Sequence, residues 1–534
     1  MILRKTAIEF LGAVACMAVA AGVRAAESAD EGPTFESRAA AFERQLAELA
    51  EVDPLHPETL ETRIAYARLL HDEAKPNCAP HLDAAERQLA PILGAGRGHL
   101  IAYADGMGDA LSLLQTIQNS RGQCAADEAA AQAAFQAAIA TGRRAVEALR
   151  ENWDYEEMAI ALFNIAYAER ELGDVEGALQ SLQQVIAWDL EYGLYGELEG
   201  DYSALLRWRS GEEADPEAVR RFVEAYKQPR ARFHFAWKPH RAMRKTETER
   251  VMLRRGALQE TGSRSEFESS ARRDGDDWVL SATARNAPRV ESTGTGAGTD
   301  DLQELLGRLS TALPDVVIGA DGSFKSLRNL DRFRDSAGRE LDRLLERSTP
   351  AGKPAPDAQA VAAAKAALLN PDLLESNVSG QWNLEVGAWI GGEFDHGDWY
   401  EATFEEPLPG FSEKPLSMTW TFKIARWLPC DAGPEPRCVE VLLHIRPDPE
   451  QIRQAIAVFV GRMMPAADRQ RVEQAMREVS YRLEWRYRLV TEPDTLRPWS
   501  FEERKYVYGA SIENGKREVT ARFDRRLETI RYLD

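Results

Sequence analysis

The apolar positions of this chain follow two rhythms. From Phe35 to about Arg221, Ala and Leu recur at three- and four-residue spacings, with Pro and Gly mostly between segments. This predicts a run of amphipathic helices. After Pro229 the period shortens to two. Phe233, Phe235 and Trp237 alternate with Arg232 and His234, and Met418, Trp420, Phe422 and Ile424 repeat the pattern. It is clearest where Tyr481, Leu483, Trp485, Tyr487 and Leu489 oppose Arg482, Glu484, Arg486 and Arg488. Such alternation predicts half-buried strands. Asp321-Gly322 and Asn514-Gly515 mark tight hairpins. Helical spacing returns at about 300–312, 330–346, 358–369 and 449–477. The Pro-rich run 348–356 reads as an internal linker or a long exposed loop. The expectation is a multidomain chain: an all-α region over 36–221, then an α+β domain over 230–534 with a curved antiparallel sheet.

The clearest helical stretch is 159–192. On a 34-residue frame, Leu162, Ile165 and Ala166 line one helix, Gly173-Asp174 turns, and Ala178, Leu182 and Val185 line the next. This resembles a tetratricopeptide repeat, whose small eighth and twentieth residues let two antiparallel helices approach closely. Ala166 and Ala178 stand at those places; Glu169 and Leu190 depart from the pattern. Two earlier helix pairs, around Leu60 to Ile92 and over 102–149, are more degenerate. The resemblance implies stacked helix pairs offering a groove to a protein or peptide partner. The competing reading is an unrelated helical bundle.

The first 25 residues read as a secretory signal: Arg4 and Lys5, an apolar stretch from Phe10 to Val23, and a cut after Ala25. Cys16 offers a lipoprotein acceptor as the alternative. Residues 26–35 read as a disordered, acidic leader. No later stretch approaches the ~18 apolar residues of a spanning helix. The expected compartment is the periplasm. Loss of Arg4, Lys5, Arg24 and Glu9 removes a net +2, taking the formal charge from -20 to -22. So acidic a chain repels nucleic acid. Four of the five cysteines would remain, an even number suited to an oxidising compartment. Cys430 and Cys438 flank a turn-forming stretch, and Cys78 and Cys124 are read as lying in loops between helices. Both pairs are expected disulfides; their spacings fit neither zinc nor redox motifs.

Candidate chemistry is sparse. The glycine-rich loop from Thr293 to Thr299 precedes a helical stretch, but no Gly-Lys-Ser/Thr follows, and Asp300 and Asp301 would repel phosphate. Glu393, Asp395, His396 and Asp398 could hold a divalent cation or supply an acid–base pair for a hydrolase. A polar hairpin uses the same residue types. His56, His71, His234 and His444 show no metal spacing, and no Gly-x-Ser-x-Gly elbow is present. From Arg220 to Arg255 stand 12 Lys or Arg against three Glu. This fits docking to an anionic surface, or neutralisation of the acidic helical region beside it, which is favoured. Twelve Trp are generous, and a curved sheet lined by aromatics can leave an apolar cavity. That arrangement distantly resembles periplasmic lipoprotein carriers, which hold acyl chains under a helical lid. The leading reading is a non-catalytic protein without cofactor that binds a protein or peptide through its helices. A carrier or sensor of a lipid or other apolar ligand is the alternative, and a hydrolase the third.

Overall fold

The computed structural model describes residues 34–52, 56–74, 80–95, 105–254, 257–286, 289–292, 313–348, 361–362, 365–366, 368–406, 415–431, 436–463, 480–513 and 516–533. The chain divides into two compact units between Pro229 and Arg230.

The first unit is helical: α1 (Phe35–Val52), α2 (Pro57–Ala74), α3 (His81–Leu93), α4 (Gly106–Cys124), α5 (Glu128–Asn152), α6 (Tyr155–Glu171), α7 (Val175–Tyr192), α8 (Tyr195–Ser210) and α9 (Pro216–Tyr226). Aspartates cap several of these helices. Asp127, Asp154 and Asp174 accept from the backbone N–H of Ala130, Glu157 and Gly177 at 2.8, 3.1 and 2.9 Å. Each such cap is worth ~1 kcal/mol. Left-handed residues end them: Trp153, Gly173, Gly193 and Gly211 all have positive φ. Packing between helices is tight. A Cβ on Gly142 of α5 would sit 2.2 Å from Gln115 on α4 and 2.8 Å from Ile165 on α6. Ala166 and Ala178 are fully buried on α6 and α7, which pack together, with Leu182 and Val185 beside them. Phe35, expected in the leader, already opens α1.

One polar pair lies inside this apolar packing. Asp189 on α7 is fully buried, and its carboxyl oxygens meet no hydrogen-bond donor other than a neighbouring carboxyl. Its neighbour is the buried Asp201 carboxyl of α8. Burial, then the charge of Asp201, pushes Asp189 up to about 9; burial pushes Asp201 to about 6. Two carboxyls in one apolar place share a proton.

The second unit is built on antiparallel sheet: β1 (Ala231–Arg232), β2 (His240–Arg254), β3 (Ala257–Asp274), β4 (Asp277–Ala284), β5 (Arg289–Ser292), β6 (Asp315–Ile318), β7 (Phe324–Arg328), β8 (Glu393–Phe394), β9 (Trp399–Glu406), β10 (Leu416–Pro429), β11 (Pro436–Pro447), β12 (Ser480–Glu492), β13 (Arg497–Glu513) and β14 (Lys516–Tyr532). The main sheet has 12 strands, ordered β7-β6-β4-β3-β2-β14-β13-β12-β11-β10-β9, with β5 beside β3; β1 and β8 pair separately. Its described helices are α10 (Leu330–Ser348), α11 (Pro371–Glu385) and α12 (Pro449–Met463). Phe422, Leu443 and Tyr487 stand in register on one face, in the same core as Trp382 of α11 and Ile452 of α12. Along that line the face turns polar: Tyr487 opposes Glu503, which opposes Arg526.

Several expectations need correction. The strand expected over 232–237 is irregular beyond Arg232, because its bonds go to two different turns. Phe233 donates to Gly392, whereas His234 and Ala236 donate to Pro493 and Thr495. The alternation survives as burial: Phe233 and Trp237 are buried, Arg232 and His234 exposed. The polar side of β12 is also filled, with Glu484 and Arg486 buried and paired at 2.7 Å. Helix α11 was not among the expected helices; Pro371 is its first residue, after an Asn370 cap. Cys124 ends α4 rather than lying in a loop and is disulfide-bonded; Cys78 lies outside the described residues. Cys430 and Cys438 form the expected disulfide, with Cα atoms 5.0 Å apart. The signal segment with Cys16, the loop from Thr293 to Thr299 with the helix expected after it, the run 349–356 and Asn514-Gly515 also lie outside the described residues. Among the described residues, no helix is long and apolar enough to cross a membrane.

A candidate ligand cavity under helix α11

Helix α11 is set by its start and by one face. The Asn370 side chain accepts from the backbone N–H of Asp372 and Leu373 at 2.8 and 3.1 Å. Leu374, Val378, Gln381, Trp382 and Glu385 then recur at helical spacing and are all buried. Opposite them lies the sheet at β2, β3, β4 and β6. Two indoles are pinned by their N–H groups, Trp382 to the Gly322 carbonyl at 2.8 Å and Trp237 to the Leu496 carbonyl at 3.2 Å. Gly322 has φ 89°, and a Cβ there would lie 2.6 Å from both Phe235 and Ile390. Only glycine fits this turn.

Between helix and sheet is a partly enclosed cavity of about 100 Å³. Its apolar walls include Trp237, Phe267, Ala271, Leu280, Val316 and Trp382. Arg244, Gln381 and Glu385, linked by hydrogen bonds, form its charged end, and His240, Ser269, Ser270 and Ser281 also border the space. Rigid indoles beside a water-poor surface favour apolar groups, and the polar end gives a bound molecule an orientation.

Behind that end is a buried ionic network. Arg244 Nη1 donates to Glu528 at 2.6 Å and to Glu385 at 3.5 Å. Arg526 donates to the other Glu528 oxygen at 2.7 Å and to Gln381 at 3.0 Å. Gln381 passes the chain on to Glu385 at 2.5 Å. Glu503, opposite Arg526, adds a further carboxylate. Burial alone would raise the pKa of Glu528, but Arg244 and Arg526 outweigh it and hold it low. Glu385 goes the other way: burial and the charge of Glu528 push it up against both arginines. Glu528 is thus held towards its ionised form, and Glu385 holds a proton more readily than a free carboxyl does. Burial raises the Tyr532 phenol beside Arg244 to about 12, so it stays neutral.

The candidates named from sequence do not gather at this place. Asp395 takes a two-pronged bond from Arg230 at 2.6 and 2.7 Å, and Glu393 faces Arg232 at 3.5 Å. His396 is buried, with its Nε2 3.1 Å from the Ala425 carbonyl. Asp398 follows in the turn before β9. Among the described residues, no three His, Cys, Asp or Glu gather as metal ligands. The basic segment finds acids in both units: Arg220 and Arg221 with Glu217 and Asp215 of the helical unit, and Arg230, Arg241, Arg244 and Arg250 with Asp395, Glu268, Glu528 and Asp524 of the sheet unit. Sequence reasoning missed Arg244, Gln381, Glu385 and Glu528. One signal was present: Arg522, Asp524, Arg526 and Glu528 alternate along β14 where an apolar stripe is usual.

No protein-family model matches the chain, and no curated protein does. Among solved structures, one titled "Lipid-protein interactions in lipovitellin" is similar over 55% of this chain, at 10% identity and a TM-score of 0.27. This chain spans 25% of that protein's length. At that score the likeness carries no functional argument.

Proposed function

We propose that the C-terminal unit is a carrier or sensor that holds the apolar part of a small lipid-like ligand under α11. The observation behind this reading is the cavity itself, walled by Trp237, Phe267 and Trp382 with Arg244 and Glu385 also in its lining. An engineered apolar cavity of about 150 Å³ takes benzene, so this space suits a comparably small group or the end of a chain. The protein- or peptide-partner reading has no observation in its favour, and the tetratricopeptide assignment still rests on its sequence residues alone.

The test is direct. Hexanol titrated into the full chain should change the tryptophan fluorescence saturably, and Ala282→Phe, which fills the cavity from β4, should abolish the change. Native mass spectrometry after gentle purification should show a co-purifying small molecule in the wild type and less in the variant. Hexanol binding that is absent, or unchanged in Ala282→Phe, rules the proposal out.

A further inference from the structure

The polar end of the cavity narrows the chemistry of what it takes. Among the described residues, both hydrogen bonds of Arg244 leave from Nη1, towards Glu528 and Glu385. The side chain is 17% exposed and borders the cavity, so Nε and Nη2 are not consumed by the network. Gln381 is used at both ends, accepting from Arg526 and donating to Glu385. Arg526 and Glu528 are absent from the cavity wall and sit behind it. The charged side chains that border the space are therefore one guanidinium with N–H groups to spare and one carboxyl group, Glu385; His240, Ser269, Ser270 and Ser281 line it too.

We infer that the cavity selects a small carboxylic acid, its carboxyl held between Arg244 and Glu385 and its body, at most about six carbons, against Trp237, Phe267 and Trp382. This rests on the ligand-binding reading above. A carboxylate offers two oxygens. One suits the spare N–H groups of Arg244, as charge-assisted hydrogen bonds. The other faces Glu385, whose pKa burial raises, so that the two carboxyls can share one proton. An ammonium head would face Arg244 and be repelled. An alcohol satisfies one donor and leaves the other dry, at a desolvation cost. The surrounding charges do not oppose this: Glu528 and Glu503 engage Arg526, Tyr532 is neutral, and His240 has its Nδ1 2.8 Å from the Lys238 carbonyl.

The experiment compares ligands of one body on the full chain, by calorimetry or tryptophan fluorescence: hexanoate, methyl hexanoate, hexanol and hexylamine. Hexanoate should bind at least about tenfold more tightly than hexanol, the value of one charge-assisted bond. Arg244→Lys keeps the cation but loses the planar fork. It should reduce hexanoate binding at least about tenfold and leave hexanol unchanged. Hexanoate binding no tighter than hexanol overturns the selection for acids while leaving an apolar cavity. If none of the four binds, the ligand-binding reading fails, and this inference with it.

Discussion

At the scale of single residues, charge buried without water explains most of the unusual chemistry. Glu528 is fully buried and bonded to two guanidinium groups, so its carboxylate is what makes Arg244 and Arg526 tolerable inside the sheet unit. Glu528→Gln keeps the shape and removes the charge. It should cost about 3–5 kcal/mol, measured by urea unfolding of the full chain; a loss below about 1 kcal/mol would mean water already solvates those arginines. The Asp189–Asp201 pair has the opposite sign. An unfolded aspartate titrates near 3.9, about five units below Asp189 in the fold. The folded state therefore holds an extra proton across that interval, and the stability it contributes is present in acid and lost as pH rises towards 9. Amide exchange in α7 and α8, corrected for intrinsic rates, should show weaker protection at pH 9 than at pH 5. Asp189→Asn, which needs no shared proton, should flatten that difference and gain about 1–3 kcal/mol at pH 8. A wild type equally protected at both values excludes the shared proton.

At the scale of elements, the turns decide where the cavity walls stand. The loop between β6 and β7 presents the Gly322 carbonyl to the Trp382 indole, and its positive φ leaves no room for a side chain. Gly322→Ala should cost about 2–4 kcal/mol from strain and overpacking together. It should also weaken hexanol binding, because Trp382 loses its anchor; a variant as stable as the wild type would show the turn relaxes freely. The β10–β11 hairpin is closed by Cys430–Cys438, across eight residues of sequence. Losing that bond should lower stability by about 2.5 kcal/mol on the chain-entropy account, seen without reductant as a lower melting temperature for Cys430→Ser/Cys438→Ser than for wild type. This hairpin was legible in the sequence because spacing and turn chemistry are local. So were β10 and β12, whose alternation is long. Helix α11 was not, because Asn370-Pro371 signals an ending as readily as a beginning, and the tertiary partner that decides between them lies more than a hundred residues upstream, in β2 and β3. The ionic network was invisible for the same reason: its members come from β2, α11, β13 and β14, and register alone brings them together.

At the scale of the whole molecule, the change of hydrophobic period near Pro229 marks the division between a helical and a sheet-based unit. The order of strands in that sheet could not be read from period alone, since alternation tells which face a residue takes and not which strand lies beside it. The arrangement has one seam. Strand β14 lies between β2 and β13, joining a group of early strands to a group of late ones. Synthesis runs from the amino end, so Lys516–Tyr532 emerges after both groups have been made. Until then each group ends in a bare row of backbone N–H and C=O groups, which recruits any strand nearby, including one from a second nascent copy. A chain that reaches its working place before folding escapes that hazard, and one that lingers half-made does not.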